Sequence, residues 1–405
     1  MAGSVVKPMV ILYFLSCFLA FIGGHVMNYT AIMYAQEVFQ SDLIAGIGFG
    51  LCFGPAIILG WIAGVYCDRM PPSNIVMASQ LLFMLAGGLF FTLNSIEIDR
   101  YFEISLYLLA CFIVGVAWSF LSPSRLAALA QIVPSQALHQ ATVLFNLLIM
   151  IGFGLAPILI AIIKTSYDWA GVFITISSLF LLASLMLIKV RTQATTSKTK
   201  SVLYQAKQGL GAAIATPLLW QLLICSMLVY ALLGPMQVLL PRIAISVLGY
   251  SELGRGLFLG ILALALIIGG ILCMLFSKKA PLGIMILLCI IAGASGLYAL
   301  SQSTTTLSAV IALIVAGVTG GYGVSLIVAG LQENAPDHVR GRIMSIYTIT
   351  SQVLPAISGL LAGALSQQFG VSMALQICAI IVVILGFAGV LRLKAVRVYK
   401  SARAQ

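Results

Sequence analysis

Charge is what this sequence has least of. Asp, Glu, Lys and Arg make up 8% of the 405 residues, against 61% hydrophobic residues, whereas soluble domains carry roughly 25% charge. So few charges cannot cover the surface of a water-soluble chain of this length. Metal-ligand spacing is missing as well: the eight cysteines form no CxxC or CxxH pattern, so neither a metal site nor a disulfide framework is indicated. His25, His139 and His338 lie far apart in the chain and no paired carboxylates occur, which argues against a membrane-embedded enzyme such as a lipid-modifying transferase. A G-x-x-x-x-G-K-[ST] loop is also lacking, so ATP does not drive this chain directly. No cofactor and no metal are called for.

What the sequence does have is apolar runs of about 20 residues, the length that crosses a bilayer as helix. Charge, proline and polar clusters divide them into twelve predicted helices: 9–35, 43–66, 75–95, 104–124, 139–163, 169–189, 217–240, 254–276, 282–301, 306–331, 342–366 and 371–392. The first run, Met9 to Gln36, has no charged residue and is too long for a signal-peptide core, so it is read as a span that stays in place. Seven cysteines lie in apolar runs, where they pack as small hydrophobes, and Cys67 alone falls at a helix end. The one long polar stretch, "KVRTQATTSKTKSVLYQAKQGLGAAIATP", separates the sixth and seventh spans. Its second part, Val202 to Ala213, is suited to a short helix on the membrane surface. The expected organisation is a six-helix bundle over 1–190, a cytoplasmic linker over 191–216, and a second bundle with a basic tail over 217–405.

Lysine and arginine orient the chain. With both termini in the cytoplasm, the inner segments carry 17 of the 21 basic residues and the outer ones only Arg100, Lys164, Arg242 and Arg255, as the positive-inside rule demands. The net charge of +11 is therefore a topology signal and not a nucleic-acid footprint. The chain also repeats itself weakly. Shifted by 202 residues, the segment from Val133 overlies that from Ala335, with Pro134 on Pro336, Gly154 on Ala356 and Ala161 on Gly363. Two parallel six-helix halves form a transporter architecture.

The inner loop between the second and third spans reads "GVYCDRMPPSN". Here the sequence resembles the major facilitator superfamily, whose signature in that loop is G-x-L-a-D-R-x-G-R-[KR]: Gly64, Asp68 and Arg69 match, while prolines replace the second glycine and the trailing basic pair is absent. "FLSPSRLAALAQIVP", "IGFGLAPILIAII" and the run Pro336, Arg340, Gly341, Arg342 resemble the branch of drug-efflux proteins and the enterobactin exporter. The resemblance implies an all-α membrane fold of twelve helices in two pseudo-repeats. It also implies a cytoplasmic gate, in which Asp68 meets the helix dipole at the start of the eleventh span and Gly64 allows close helix approach. Arg125 is expected at the membrane interface, as a topology anchor and possible partner of Asp68. Gly152, Gly154 and Pro157 are expected to kink the fifth helix, as in exporters of the family.

No Asp or Glu falls in the middle of a predicted span. The ionisable candidate is His25 in "GGHVMNYT", which shares a helix face with Asn28 and Tyr29 at i, i+3, i+4 spacing. An imidazole with an ordinary pKa near 6.5 can exchange protons across a physiological gradient, or it can stay neutral and bond a neighbouring helix. Glu37 and Asp42, beyond the first span, read either as proton sites or as solvated loop acids. Trp118, Asn146, Tyr230, Gln237, Tyr322, Tyr347 and Gln352 are further polar groups in spans. Tyr230 and Gln237, with Pro235 between them, suggest a broken helix facing a cavity. Amides and phenols with few charges suit a neutral or amphipathic organic solute.

The sequence thus points to a monomeric multi-pass transporter in the cytoplasmic (inner) membrane. It would export a small organic solute, drug or siderophore-like metabolite by alternating access against protons. An uptake carrier and a non-transporting sensor of the same fold remain the alternatives.

Overall fold

The computed structural model describes residues 8–134, 136–194, 202–276, 281–336 and 339–400. Within them every regular element is an α-helix: α1 (Pro8–Val38), α2 (Asp42–Phe53), α3 (Ala56–Arg69), α4 (Pro72–Ser95), α5 (Arg100–Ile132), α6 (Leu138–Leu187), α7 (Val202–Ala215), α8 (Pro217–Ser246), α9 (Glu252–Phe276), α10 (Leu282–Ser301), α11 (Thr306–Asn334), α12 (Arg340–Phe369), α13 (Val371–Arg392) and α14 (Lys394–Arg397). In a lipid core a chain without water must satisfy its own peptide groups, and these apolar runs do so as helix. Helix ends follow local chemistry. Asp99 accepts from the Tyr101 amide at 3.0 Å at the start of α5, and Pro72 and Pro217 stand in the first turns of α4 and α8. Gly370, at φ 82°, ends α12 in a conformation that disfavours a side chain.

Among the described residues, eleven stretches are long and apolar enough to cross a bilayer. One of them, Gln140–Leu187, has 48 residues, about 72 Å of helix against a hydrocarbon core of about 30 Å. It turns at Asp168, where φ is 52° and ψ −162°, so it is long enough for two spans, which makes twelve candidate crossings among the described residues. The second crossing is α2 continued by α3 across Gly54 and Pro55. Two sequence expectations are corrected here. The α8 helix is not broken: it runs unbroken through both Pro235 and Pro241. Within α6 the non-helical residue is Asp168, and Pro157 lies inside the helix. The α5 helix does not stop before Arg125 but continues to Ile132, with Pro123 inside it.

The chain divides into two compact units, Met1–Tyr34 with Leu51–Val202, and Ala35–Gly50 with Leu203–Gln405. In the first, α1 and α5 lie antiparallel; the Tyr107 hydroxyl donates to the Ala31 carbonyl at 2.9 Å. Phe83 stacks on Phe180 with centroids 4.4 Å apart. In the second, α9 and α11 cross at glycine, for a Cβ at Gly321 would lie 2.0 Å from the Leu266 carbonyl oxygen, the close crossing that small residues permit. The tail of the chain is tied down. The Val396 amide donates to Gln221 Oε1 at 3.0 Å and the Tyr399 hydroxyl to Glu333 Oε2 at 3.1 Å. Burial, reinforced by the Glu333 carboxylate, pushes the Tyr399 phenol up to about 12.

Candidate functional site

The polar run of α1 sits where that helix meets α5 and α6. Gly24 lets α1 and α5 close, since a Cβ there would be 2.5 Å from the Trp118 ring. Trp118 Nε1 then donates to Asn28 Oδ1 at 3.0 Å. The His25 ring lies 5.7 Å from the Trp118 ring and 5.4 Å from Phe153, and Tyr29 lies 5.7 Å from the same Phe153. Against this aromatic wall His25 Nε2, Asn28 Nδ2 and Tyr29 OH are buried with no hydrogen-bond partner, and so is Thr30 Oγ1 on another side of α1. Leaving a buried donor or acceptor unsatisfied costs about 1–3 kcal/mol, so four on one stretch of helix is a feature that packing alone does not account for. His25 therefore does not bond a neighbouring helix through Nε2, and of the polar face expected from its spacing only Asn28 Oδ1 is engaged.

A second cluster forms in the other unit, where the elbow Ala35–Gly50 packs with α8, α9 and α12. Arg255, 2% exposed, donates to Glu37 Oε1 at 2.8 Å and also pairs with Glu252. Asp42 opens α2, where the helix dipole favours an anion. It accepts from Gln36 Nε2 at 3.1 Å and from the Ser366 hydroxyl at 2.6 Å, and Arg242 Nε lies 3.5 Å away. Gln36 Nε2 donates as well to the Val238 carbonyl at 2.8 Å. Asp42, Arg242 and Ser366 line a cavity of about 280 Å³ together with Gln40, Ser246, Gln367, Gly370 and Val371. Neither Glu37 nor Asp42 is a solvated loop acid, which corrects the sequence reading. The elbow reaches this depth because Gly46 lies against α12 at Gly359 and Gly363; a Cβ on Gly363 would meet the Asp42 carbonyl oxygen at 2.4 Å.

Arg125 brings the largest correction. It is 0% exposed, far from the interfacial anchor that its polar neighbours suggest. Tyr13 donates to its carbonyl, and its guanidinium reaches Cys17 Sγ at 2.9 Å and Ser16 at 3.3 Å. Among the described residues it forms no ion pair. The remaining candidates scatter. Tyr230 and Tyr347 share a hydrogen bond of 2.6 Å, so these phenols satisfy each other. Gln237 is buried, Gln352 half-buried, and Asn146 exposed, away from the aromatic wall. Gly152 packs on the Phe21 backbone, 2.9 Å from a Cβ position. The surroundings of Gly64 and the side chains of Asp68, Cys67 and His139 lie outside the described residues, as does all of His338. Arg69 is exposed, Arg340 donates to the Ala335 carbonyl at 3.4 Å, Gly341 has open space around it, and Arg342 lies against Gly209 of α7. Thr30 and the Arg255–Glu37 pair were not anticipated; partners 218 residues apart leave no periodic signal.

Comparison with known proteins places the fold. An uncharacterized MFS-type transporter of Methanocaldococcus jannaschii is 22% identical over 375 residues, covering 89% of this chain and 92% of its own. A bacterial homologue of the human lysosomal transporter Spinster, solved in an inward-facing and unoccupied conformation, superposes with a TM-score of 0.78 at 13% identity over 98% of both chains. A mutant form of the nucleoside transporter NupG gives a TM-score of 0.75 at 12% identity over 95% of this chain and 99% of its own. The sequence model of the Major Facilitator Superfamily matches residues 9–359. With twelve candidate crossings and a match over most of its length, the chain belongs to the Major Facilitator Superfamily and is a membrane transporter rather than an enzyme.

Proposed function

We propose that this transporter carries a small organic solute out of the cell in exchange for protons. It works by alternating access, as a monomer in the cytoplasmic membrane with both termini inside. One observation carries the reading: His25, Asn28 and Tyr29 hold buried polar atoms without partners, beside Trp118 and Phe153. Polar groups set among aromatic rings fit a ring-bearing solute with hydrogen-bonding substituents. A proton on His25 and a solute beside it compete for one space, and that competition is the coupling an exchanger needs. The cluster of Glu37, Asp42, Arg242, Glu252 and Arg255, assigned to the external face by the positive-inside count, serves as the external latch of the elbow. Asp68, Arg69, Arg340, Gly341 and Arg342 are assigned the cytoplasmic latch by their match to the family signature.

Inverted membrane vesicles with an acidic lumen test the reading, with 2-naphthamide and 2-naphthoate as probes. Naphthoate is informative because a weak acid leaves an acidic lumen by simple partition. The expected result is accumulation of at least one probe, collapsed by a protonophore and lost in His25→Ala and Trp118→Ala. Accumulation that ignores the pH gradient overturns the exchange. Equal accumulation in both variants overturns the pocket.

A further inference from the structure

Steps of four along α1 give Tyr13, Cys17, Phe21, His25 and Tyr29, each one turn from the next in a row that winds about 40° per step around the helix. Facing its lower part is Arg125 of α5. Its Nη1 donates to Cys17 Sγ at 2.9 Å, its Nη2 to the Ser16 carbonyl and hydroxyl at 3.3 Å each, and its Nε has no partner. The Phe21 ring lies 5.7 Å from the guanidinium carbon. None of these neighbours is an anion: a thiol, a hydroxyl, a carbonyl and a ring face the guanidinium. Burying an ion costs several kcal/mol even after relaxation unless a counter-charge meets it, and an ionisable residue at membrane depth marks a functional site by default.

The position of this charge matters as much as its lack of a counter-ion among the described residues. Phe21 is one turn from His25, about 6 Å along the helix, and it packs edge-on against Phe145 at 5.1 Å. Phe21 thus touches the guanidinium on one side and stands one turn below His25 on the same helix.

We propose that Arg125 is the counter-charge for a compact anionic group on the transported solute, which makes this an organic-anion transporter, and that Phe21 is the shutter between that charge and the aromatic pocket. The proposal rests on the pocket reading above. A solute whose ring lies against Trp118 and Phe153 places a carboxylate or phosphate substituent one helical turn away, where the unused Nε–H of Arg125 offers a charged donor. The neutral or amphipathic solute expected from the sequence is thereby replaced by an acidic one.

Equilibrium dialysis of the full chain in nanodiscs separates the two readings, using 2-naphthoate and its neutral isostere 2-naphthamide. Wild type is expected to bind naphthoate about tenfold more tightly than naphthamide. In Arg125→Gln the two probes are expected to bind alike, while Arg125→Lys keeps a preference for the acid. Phe21→Ala is expected to raise the association rate of naphthoate more than that of naphthamide. Equal affinities in wild type, with both lost in Trp118→Ala, overturn the role of Arg125 and leave the pocket standing. A preference that survives in Arg125→Gln overturns it too. Binding of neither probe to wild type overturns the pocket and this proposal together. If Arg125→Gln does not fold, the wild-type preference and its retention in Arg125→Lys decide the matter.

Discussion

Trp118 does three jobs at one position: it fills the space that Gly24 leaves, lies tilted against His25, and fixes Asn28 through its N–H. Replacing it with Phe keeps the ring but orphans Asn28 Oδ1. The expected cost is about 1 kcal/mol, read as roughly fivefold weaker naphthamide binding in dialysis; an unchanged affinity would mean that Asn28 does not face the solute. Much of this site could be read in the sequence. The spacing of His25, Asn28 and Tyr29 already puts them on one face, and an apolar run makes every polar member conspicuous. Arg125 could not be read. "SPSR" has the proline, serines and charge of a helix end, yet in a membrane helix Pro123 is tolerated because neighbouring groups re-satisfy the freed carbonyl. Only packing against Ser16, Cys17 and Phe21 reveals that the charge is inside.

Helices meet in this protein mostly where glycine removes the obstacle. At the α2–α12 crossing, a Cβ on Gly363 would come within 2.4 Å of the Asp42 carbonyl oxygen, a backbone atom that cannot turn aside. Gly363→Val is therefore expected to cost about 1–3 kcal/mol by overpacking and to lower the thermal unfolding temperature in detergent. Gly88→Ala on α4 has nothing within 4 Å of the new methyl and serves as the matched control with little change. A Gly363→Val protein as heat-stable as wild type would show that the crossing is looser than described. At this scale hydropathy predicted the spans well, because length and composition suffice to mark a bilayer crossing. It could not say which glycines sit at crossings. The close approach expected of Gly64 from the family signature has its described counterpart at Gly46, well before the charged end of α3.

For the whole molecule, the elbow Ala35–Gly50 is the telling segment: it follows the start of α1 in sequence but packs within the C-terminal unit. Its hold is the Arg255–Glu37–Glu252 cluster. Arg255→Met removes the cation that Glu37 and Glu252 share. The cost should fall below the 3–5 kcal/mol or so of a fully buried pair, because Glu37 and Glu252 keep 27% and 31% exposure. Adding Glu37→Gln is expected to recover part of the loss, with a coupling of about 0.5–3 kcal/mol in a double-mutant cycle of thermal stability. Simple additivity would show that the pair does not hold the elbow. No sequence reading could have paired residues so far apart, and the chain's two halves look separable only on paper. If the polypeptide were severed in its central polar stretch, the leading fragment would carry a hairpin whose proper seat belongs to the trailing fragment. Neither piece would be finished alone, and co-produced pieces would find each other by that hairpin, so the chain carries its own means of complementation.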